Sequence, residues 1–336
     1  MRFNLPDLPE GWPWSVWFFV ATILLYLLQR FPPTGVFLMI VGAAFWSILL
    51  INLGVLGIGL EAVTGKVSRL WLVVPLLYFG GYYWLYSREQ AALTALRSEY
   101  ARFNEGKSLP FDVQNQDLVI GARENEAVLS PSSFVPHYGL ARAFDSNGRM
   151  ALLGDPEACA MLRGNDAYRS AGIYQGSFDR NAPKPKRHST PGLCAISAPG
   201  HPDRPVVRVI GESSKSVHNR MPVTTQTFRI RDETSGRATS VKSAFAGPLK
   251  RFPMPVMGCA LNSGGGSWDC FAGFMRDSVN PIVPVGRKYR GGTVVVAKAL
   301  GLEIAQDYAP LATGPEQFRA IGEAADAKLV ACAATK

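Results

Sequence analysis

Histidine occurs four times in 336 residues and cysteine five times. The histidines (His137, His188, His201, His218) are dispersed, and no CxxC pair exists. That excludes the ligand spacings of common structural zinc sites. Cys194, between His188 and His201, is the nearest approach to a cluster, and it sits in a proline-rich stretch that reads as a loop. Catalytic signatures are also missing. Thr64-Gly65-Lys66 resembles the end of a phosphate loop, but Leu60 and Val67 stand where glycine and a hydroxyl residue are needed. Asp145 opens a calcium-like run that fails at Arg149. Gly264-Gly265-Gly266-Ser267 leads into Trp268 and Asp269, so there is no GxSxG elbow. Ser213, Ser214 and Lys215 fall one residue short of SxxK, and His218 is the nearest candidate base. The chain therefore carries no assigned catalytic residue, no cofactor site and no metal site.

Charge is absent from three long runs. Residues 14–29 (WSVWFFVATILLYLLQ), 36–60 (VFLMIVGAAFWSILLINLGVLGIGL) and 70–86 (LWLVVPLLYFGGYYWLY) contain no Asp, Glu, Lys or Arg, and nothing comparable recurs after residue 87. A bilayer core needs about 20 apolar residues per helix, so the runs predict three transmembrane helices in an anchor covering residues 1–87. Trp12, Trp14, Trp17 and Tyr26, and Tyr82, Tyr83, Trp84 and Tyr86, suit the headgroup zone. Gly54, Gly57 and Gly59 could let helices pack closely. The leader carries Asp7 and Glu10 against Arg2, and the first run ends in QRFPPTG, which argues against a cleaved signal peptide. Glu61, at the edge of the second run, reads as an interfacial cap.

Residues 88–104 extend the third run with Leu93, Leu96, Tyr100 and Phe103 at helical spacing, predicting a juxtamembrane helical stalk or a stripe that packs on the domain beyond. Residues 105–336 predict a mainly β, β-rich α+β soluble domain. Its β-prone runs are DLVIG, MALLG, RPVVRVIG, VTTQTFRIRD, TSVKSAF, PIVPVG and GTVVVAKA. The end of the chain predicts a helix opening at Pro315 and a strand holding Cys332.

All five cysteines lie beyond the anchor, and Cys259 and Cys270 bracket a glycine-serine centre that reads as a hairpin tip. Cross-strand cysteines there predict a disulfide, and a disulfide predicts an oxidising compartment. Charge counts on the two sides of the anchor do not decide its orientation, so the cysteines do. The expectation is a multi-pass protein of a bacterial-type inner membrane, with a cytoplasmic amino terminus and a periplasmic carboxy-terminal domain. Between Lys184 and Arg251 stand 13 basic and four acidic residues, an excess equal to the whole chain's +9. Lys184, Lys186 and Arg187 form a basic loop suited to an anionic partner. With Phe228 and Phe245 as the stretch's aromatics, stacking platforms are too few for nucleic acid. These features predict a non-enzymatic scaffold or accessory subunit of an envelope assembly of secretion or conjugative-transfer type, bound to other envelope membrane proteins. The alternatives are a membrane-anchored hydrolase with a non-standard serine site and a cytoplasmic-facing basic module that binds anionic lipid or nucleic acid.

Overall fold

A computed structural model describes residues 13–122, 129–154, 174–177, 194–261, 267–283 and 291–303. The chain divides into two compact units. The first comprises residues 1–94, 217–222 and 246–279, and the second residues 95–216, 223–245 and 280–336.

In the first unit, α1 spans Trp14–Arg30, α2 Pro32–Ile40 and α3 Ala43–Val63. The break at Phe31 follows from Pro32, which disfavours helical geometry in the residue before it and then serves as the first residue of α2. α1 and α2 meet at a bend of 117°. Gly42, at φ 67, separates α2 from α3 in the left-handed region that glycine enters without steric cost. A 3-10 turn at Arg69–Leu72 leads into α4, Val73–Asn104. The sequence expectation of three spanning helices is corrected here. Among the described residues one helix, α3, is long and apolar enough to cross a membrane, or two spans if the bent α1–α2 pair counts as one. α1 stops at 17 residues, Gly42 cuts the 36–60 run, and the apolar part of α4 gives way to Arg88 and Glu89. Strands β9 (Pro255–Leu261) and β10 (Trp268–Phe274) form an antiparallel hairpin in this same unit.

The second unit is α+β. Its strands are β1 (Asp117–Ala122), β2 (Arg142–Asp145), β3 (Arg149–Gly154), β4 (Tyr174–Ser177), β5 (Cys194–Pro199) and all but the end residues 217–218, 221–222 and 246 of β6 (Val206–His218), β7 (Met221–Asp232) and β8 (Ala238–Ala246). Among the described residues they make one mixed sheet in the order β4-β5-β3-β2-β1-β6-β7-β8. β1 runs parallel to both β2 and β6. A 3-10 turn at Pro131–Ser133, the short helix α5 (Val135–Tyr138) and α6 (Gly291–Ala299) complete the described elements. Phe134, Leu118, Ile120, Val207, Val209, Phe228 and Val296 are fully or almost fully buried in one core.

Two local expectations change. GTVVVAKA, expected as a strand, is helix α6, because Thr293, Val296, Ala297 and Leu300 recur on one buried face and tertiary burial overrides the β preference of its valines. PIVPVG does not form a strand over its described residues 281–283. Of the stripe on α4, Leu96 and Tyr100 are buried, and Tyr100 shares a hydrogen bond with Thr225. Asn104 accepts from Lys242 N–H and donates to its carbonyl, closing the outer edge of β8. The expected carboxy-terminal helix and strand lie outside the described residues.

Asp117 fixes the start of β1. It is 1 % exposed and accepts from Arg142 Nε and Nη2 and from the backbone N–H groups of Asp203 and Arg204, at 2.9–3.1 Å. Arg142 also pairs with Asp203. A buried carboxylate so fully bonded is a structural pivot.

Candidate functional site

The helices of the first unit are inverted relative to those of a water-soluble protein. α1 buries Ser15, Thr22 and Gln29. These residues are seven apart, about two helical turns, so they line one stripe. α3 buries Ser47, Asn52 and Glu61 together with small residues. The large apolar side chains point outward instead: Ile23, Leu24, Leu27 and Leu28 on α1, and Phe45, Trp46, Leu49, Leu56 and Leu60 on α3, each at least half exposed. Gly54 and Gly57 let α1 approach closely, since a Cβ there would lie 2.8 Å from the Phe19 ring and 3.0 Å from Ser15 Cβ.

Each buried polar group has a defined partner. The Glu61 carboxylate accepts from Ser15 Oγ at 2.6 Å and Ser15 N–H at 3.3 Å, so the acid of α3 caps the amino terminus of α1. Thr22 Oγ1 donates to the Phe18 carbonyl. Of the remaining three, Gln29 and Ser47 serve β9 and Asn52 serves the chain just before it. Gln29 Oε1 accepts from Cys259 N–H at 3.1 Å. Ser47 Oγ accepts from Met257 N–H at 2.9 Å and lies 3.0 Å from the Pro255 carbonyl. Asn52 Nδ2 donates to the Pro253 carbonyl at 3.1 Å. A strand edge buried against helices would leave these main-chain groups unpaired, at roughly 1–3 kcal/mol each. Gln29 and Ser47 remove that cost for the strand groups they meet, and Asn52 does so for Pro253.

The hairpin has further anchors. Gly258 packs on Ala44, and Trp268 Nε1 donates to the Gln29 carbonyl at 2.9 Å. Tyr82 OH lies 2.8 Å from the Lys250 carbonyl and 3.1 Å from that of Phe252, and its ring stacks at a tilt on Phe274. Glu89, 3 % exposed, accepts from Leu249 N–H and from both terminal nitrogens of Arg276. This paired, buried ion bridge ties α4 to the segment that follows β10.

Cys259 and Cys270, the pair expected from sequence, face each other directly in the β9–β10 register with their sulfurs 2.04 Å apart, at disulfide distance. The Cys259 N–H turns away from β10 toward Gln29, which makes this a non-hydrogen-bonded pair, the closer of the two antiparallel pairings. The basic loop Lys184, Lys186 and Arg187 lies outside the described residues, as do Cys159 and Cys332. Within the basic stretch, Arg208 pairs with Glu233 and Lys250 with Asp277. Ser213 and His218 are five residues apart on β6, an extended separation of about 16 Å that turns the side chains to opposite faces. Ser267 Oγ donates to Asp269 at 3.0 Å. Among the described residues no group of three or more His, Cys, Asp or Glu is placed to hold a metal ion.

The polar side chains Gln29, Ser47, Asn52 and Tyr82 were not singled out in the sequence for this role. Their one signal was polar identity inside apolar runs. What the arrangement does chemically is to dock a disulfide-paired hairpin onto apolar helices while bonding the Met257 and Cys259 N–H groups and the Pro255 carbonyl of β9. No family model, no curated protein and no solved structure matches this chain.

Proposed function

We propose that this chain is a membrane-anchored, non-enzymatic scaffold or accessory subunit of an envelope assembly, and that it works by binding other membrane proteins. One observation carries the reading: the inverted burial of the first unit, with Ser15, Thr22, Gln29, Ser47, Asn52 and Glu61 inside and large aliphatic and aromatic side chains outside. In water that arrangement would expose an apolar surface far larger than soluble monomers carry. In lipid it is the stable one, because apolar side chains meet acyl chains and polar groups must find partners within the protein.

The Cys259–Cys270 pair supports an oxidising location for the hairpin. The reading therefore keeps the amino terminus in the cytoplasm of a bacterial-type cell and the carboxy-terminal region in the periplasm. Other envelope membrane proteins are the proposed partners, with Lys184, Lys186 and Arg187 offered to an anionic surface on one of them. The tie to a secretion or conjugative-transfer apparatus is an expectation from architecture.

Three measurements test this. The full chain should resist alkaline carbonate extraction from membranes, and a reporter active only in the periplasm should be active when fused after Lys336. A chain released by carbonate, or activity from a cytoplasm-only reporter instead, overturns the anchor or the sidedness respectively. Capture in mild detergent should bring down membrane proteins. Reversing the charges of Lys184, Lys186 and Arg187 should weaken that capture at low salt, since screening between exposed charges sets in within about 10 Å at 0.1 M.

A further inference from the structure

The edge of β9 that faces the helices bonds to Gln29 and Ser47, but the hairpin has a second edge. Among the described residues β9 is the sole strand partner of β10. The register shows which groups are left over. Met257 and Cys259 direct their N–H groups away from β10, to Ser47 and Gln29. Their partners Ala272 and Cys270 must then direct their main-chain N–H and C=O away from β9. By the same alternation Trp268 and Phe274 do so as well. Among the described residues these four thus offer donors and acceptors along an open edge. The strand WDCFAGF carries no lysine, no proline and no bulge, the devices that normally blunt such an edge. Cys270 to Phe274 are all exposed.

We propose that this edge pairs with the β10 of a second copy of the chain, giving a four-stranded antiparallel sheet across a two-fold axis at Phe271. The strand is self-complementary about that residue. Phe271 faces its own copy, Cys270 faces Ala272, and Trp268 faces Phe274, so all four outward residues find outward partners. Asp269, the strand's single charge, faces Gly273 of the other copy and not its own carboxylate. Such a contact is isologous and closed, which limits pairing to two copies. It rests on strand geometry and stands whether or not the helices lie in lipid.

The test is the protein mass of the full chain in mild detergent, measured by light scattering. Wild type is expected at twice the chain mass. Gly273→Asp sets carboxylates against Asp269 twice per dimer, and a Cβ at Gly273 meets nothing within 4 Å, so the fold is kept. This variant should halve the mass while peptide mapping still finds Cys259 bonded to Cys270. Adding Asp269→Lys to Gly273→Asp should restore the dimer by placing opposite charges in register. If Gly273→Asp loses the disulfide, Phe271→Lys replaces it, because the exposed ring can be exchanged and two ammonium groups then meet at the axis. A monomeric wild type, or a dimer indifferent to both variants, overturns the proposal. Release by carbonate with the dimer intact would sink the membrane reading alone.

Discussion

Ser47→Ala is the sharpest perturbation of the docked hairpin. The residue is 3 % exposed, and its hydroxyl supplies the acceptor for Met257 N–H at 2.9 Å. Its proton lies within reach of the Pro255 carbonyl at 3.0 Å and the Ala44 carbonyl at 2.7 Å. Alanine preserves the helix and removes one oxygen, leaving a buried N–H without an acceptor and a carbonyl with one partner fewer. An unsatisfied buried donor costs about 1–3 kcal/mol. Water enters poorly between a helix and a strand packed on it, so the cost should fall locally on β9. The assay is amide hydrogen exchange of the full chain in detergent, resolved to peptides covering Pro255–Leu261. A loss of about 2 kcal/mol in local opening free energy speeds exchange roughly thirtyfold. Peptides from β1 and β6 should be unchanged, and Ser68→Ala, at an exposed turn, should leave β9 protected. Unchanged exchange in β9 after Ser47→Ala would refute the argument that the polar stripe exists to hold this strand.

Other perturbations follow the same reasoning. Arg220 occupies the hairpin turn between β6 and β7 at φ 68, a conformation that costs a non-glycine residue roughly 1 kcal/mol, so Arg220→Gly should raise the melting temperature by a few degrees. A methyl group at Gly292 would sit 2.5 Å from the fully buried Phe228 ring and 3.0 Å from Gln226 Oε1, so Gly292→Ala should destabilise the second unit by about 1–3 kcal/mol in denaturant titration. The carboxyls of Asp112, Asp203 and Asp232 are held below the usual range by hydrogen bonds from Asn115, Arg142 and Ser235. A carboxyl with a depressed folded-state pKa adds stability above its unfolded pKa of about 3.9 and loses it as pH falls through the folded value. Thermal unfolding should therefore show the second unit weakening below about pH 4, and Asp203→Asn should flatten that part of the profile.

Much of the local structure was legible. The cysteine pair and its hairpin were readable because a glycine-serine centre between β-prone runs needs no long-range information. β1, β3, β6, β7 and β8 were visible for the same reason. Gly42 was harder. One glycine inside 25 apolar residues looks like any membrane-helix glycine, and its left-handed φ is decided by how α2 folds back. The stripe Ser15, Thr22 and Gln29 had the spacing of a buried face, but Ser15 bonds Glu61 and Gln29 bonds Cys259, partners that sequence distance hides. GTVVVAKA misled because valines favour strands until a core offers them one helical face.

The central claim is that the outward face of α3 meets lipid while its polar face meets protein. Single spin labels at Leu49, Leu53, Leu56 and Leu60, introduced into the full chain in lipid vesicles, report contact with oxygen, which concentrates in acyl chains, and with a water-soluble nickel chelate. The account predicts high oxygen and low nickel accessibility at Leu49, Leu53 and Leu56, with nickel contact rising only toward Leu60. High nickel accessibility at all four positions would contradict it.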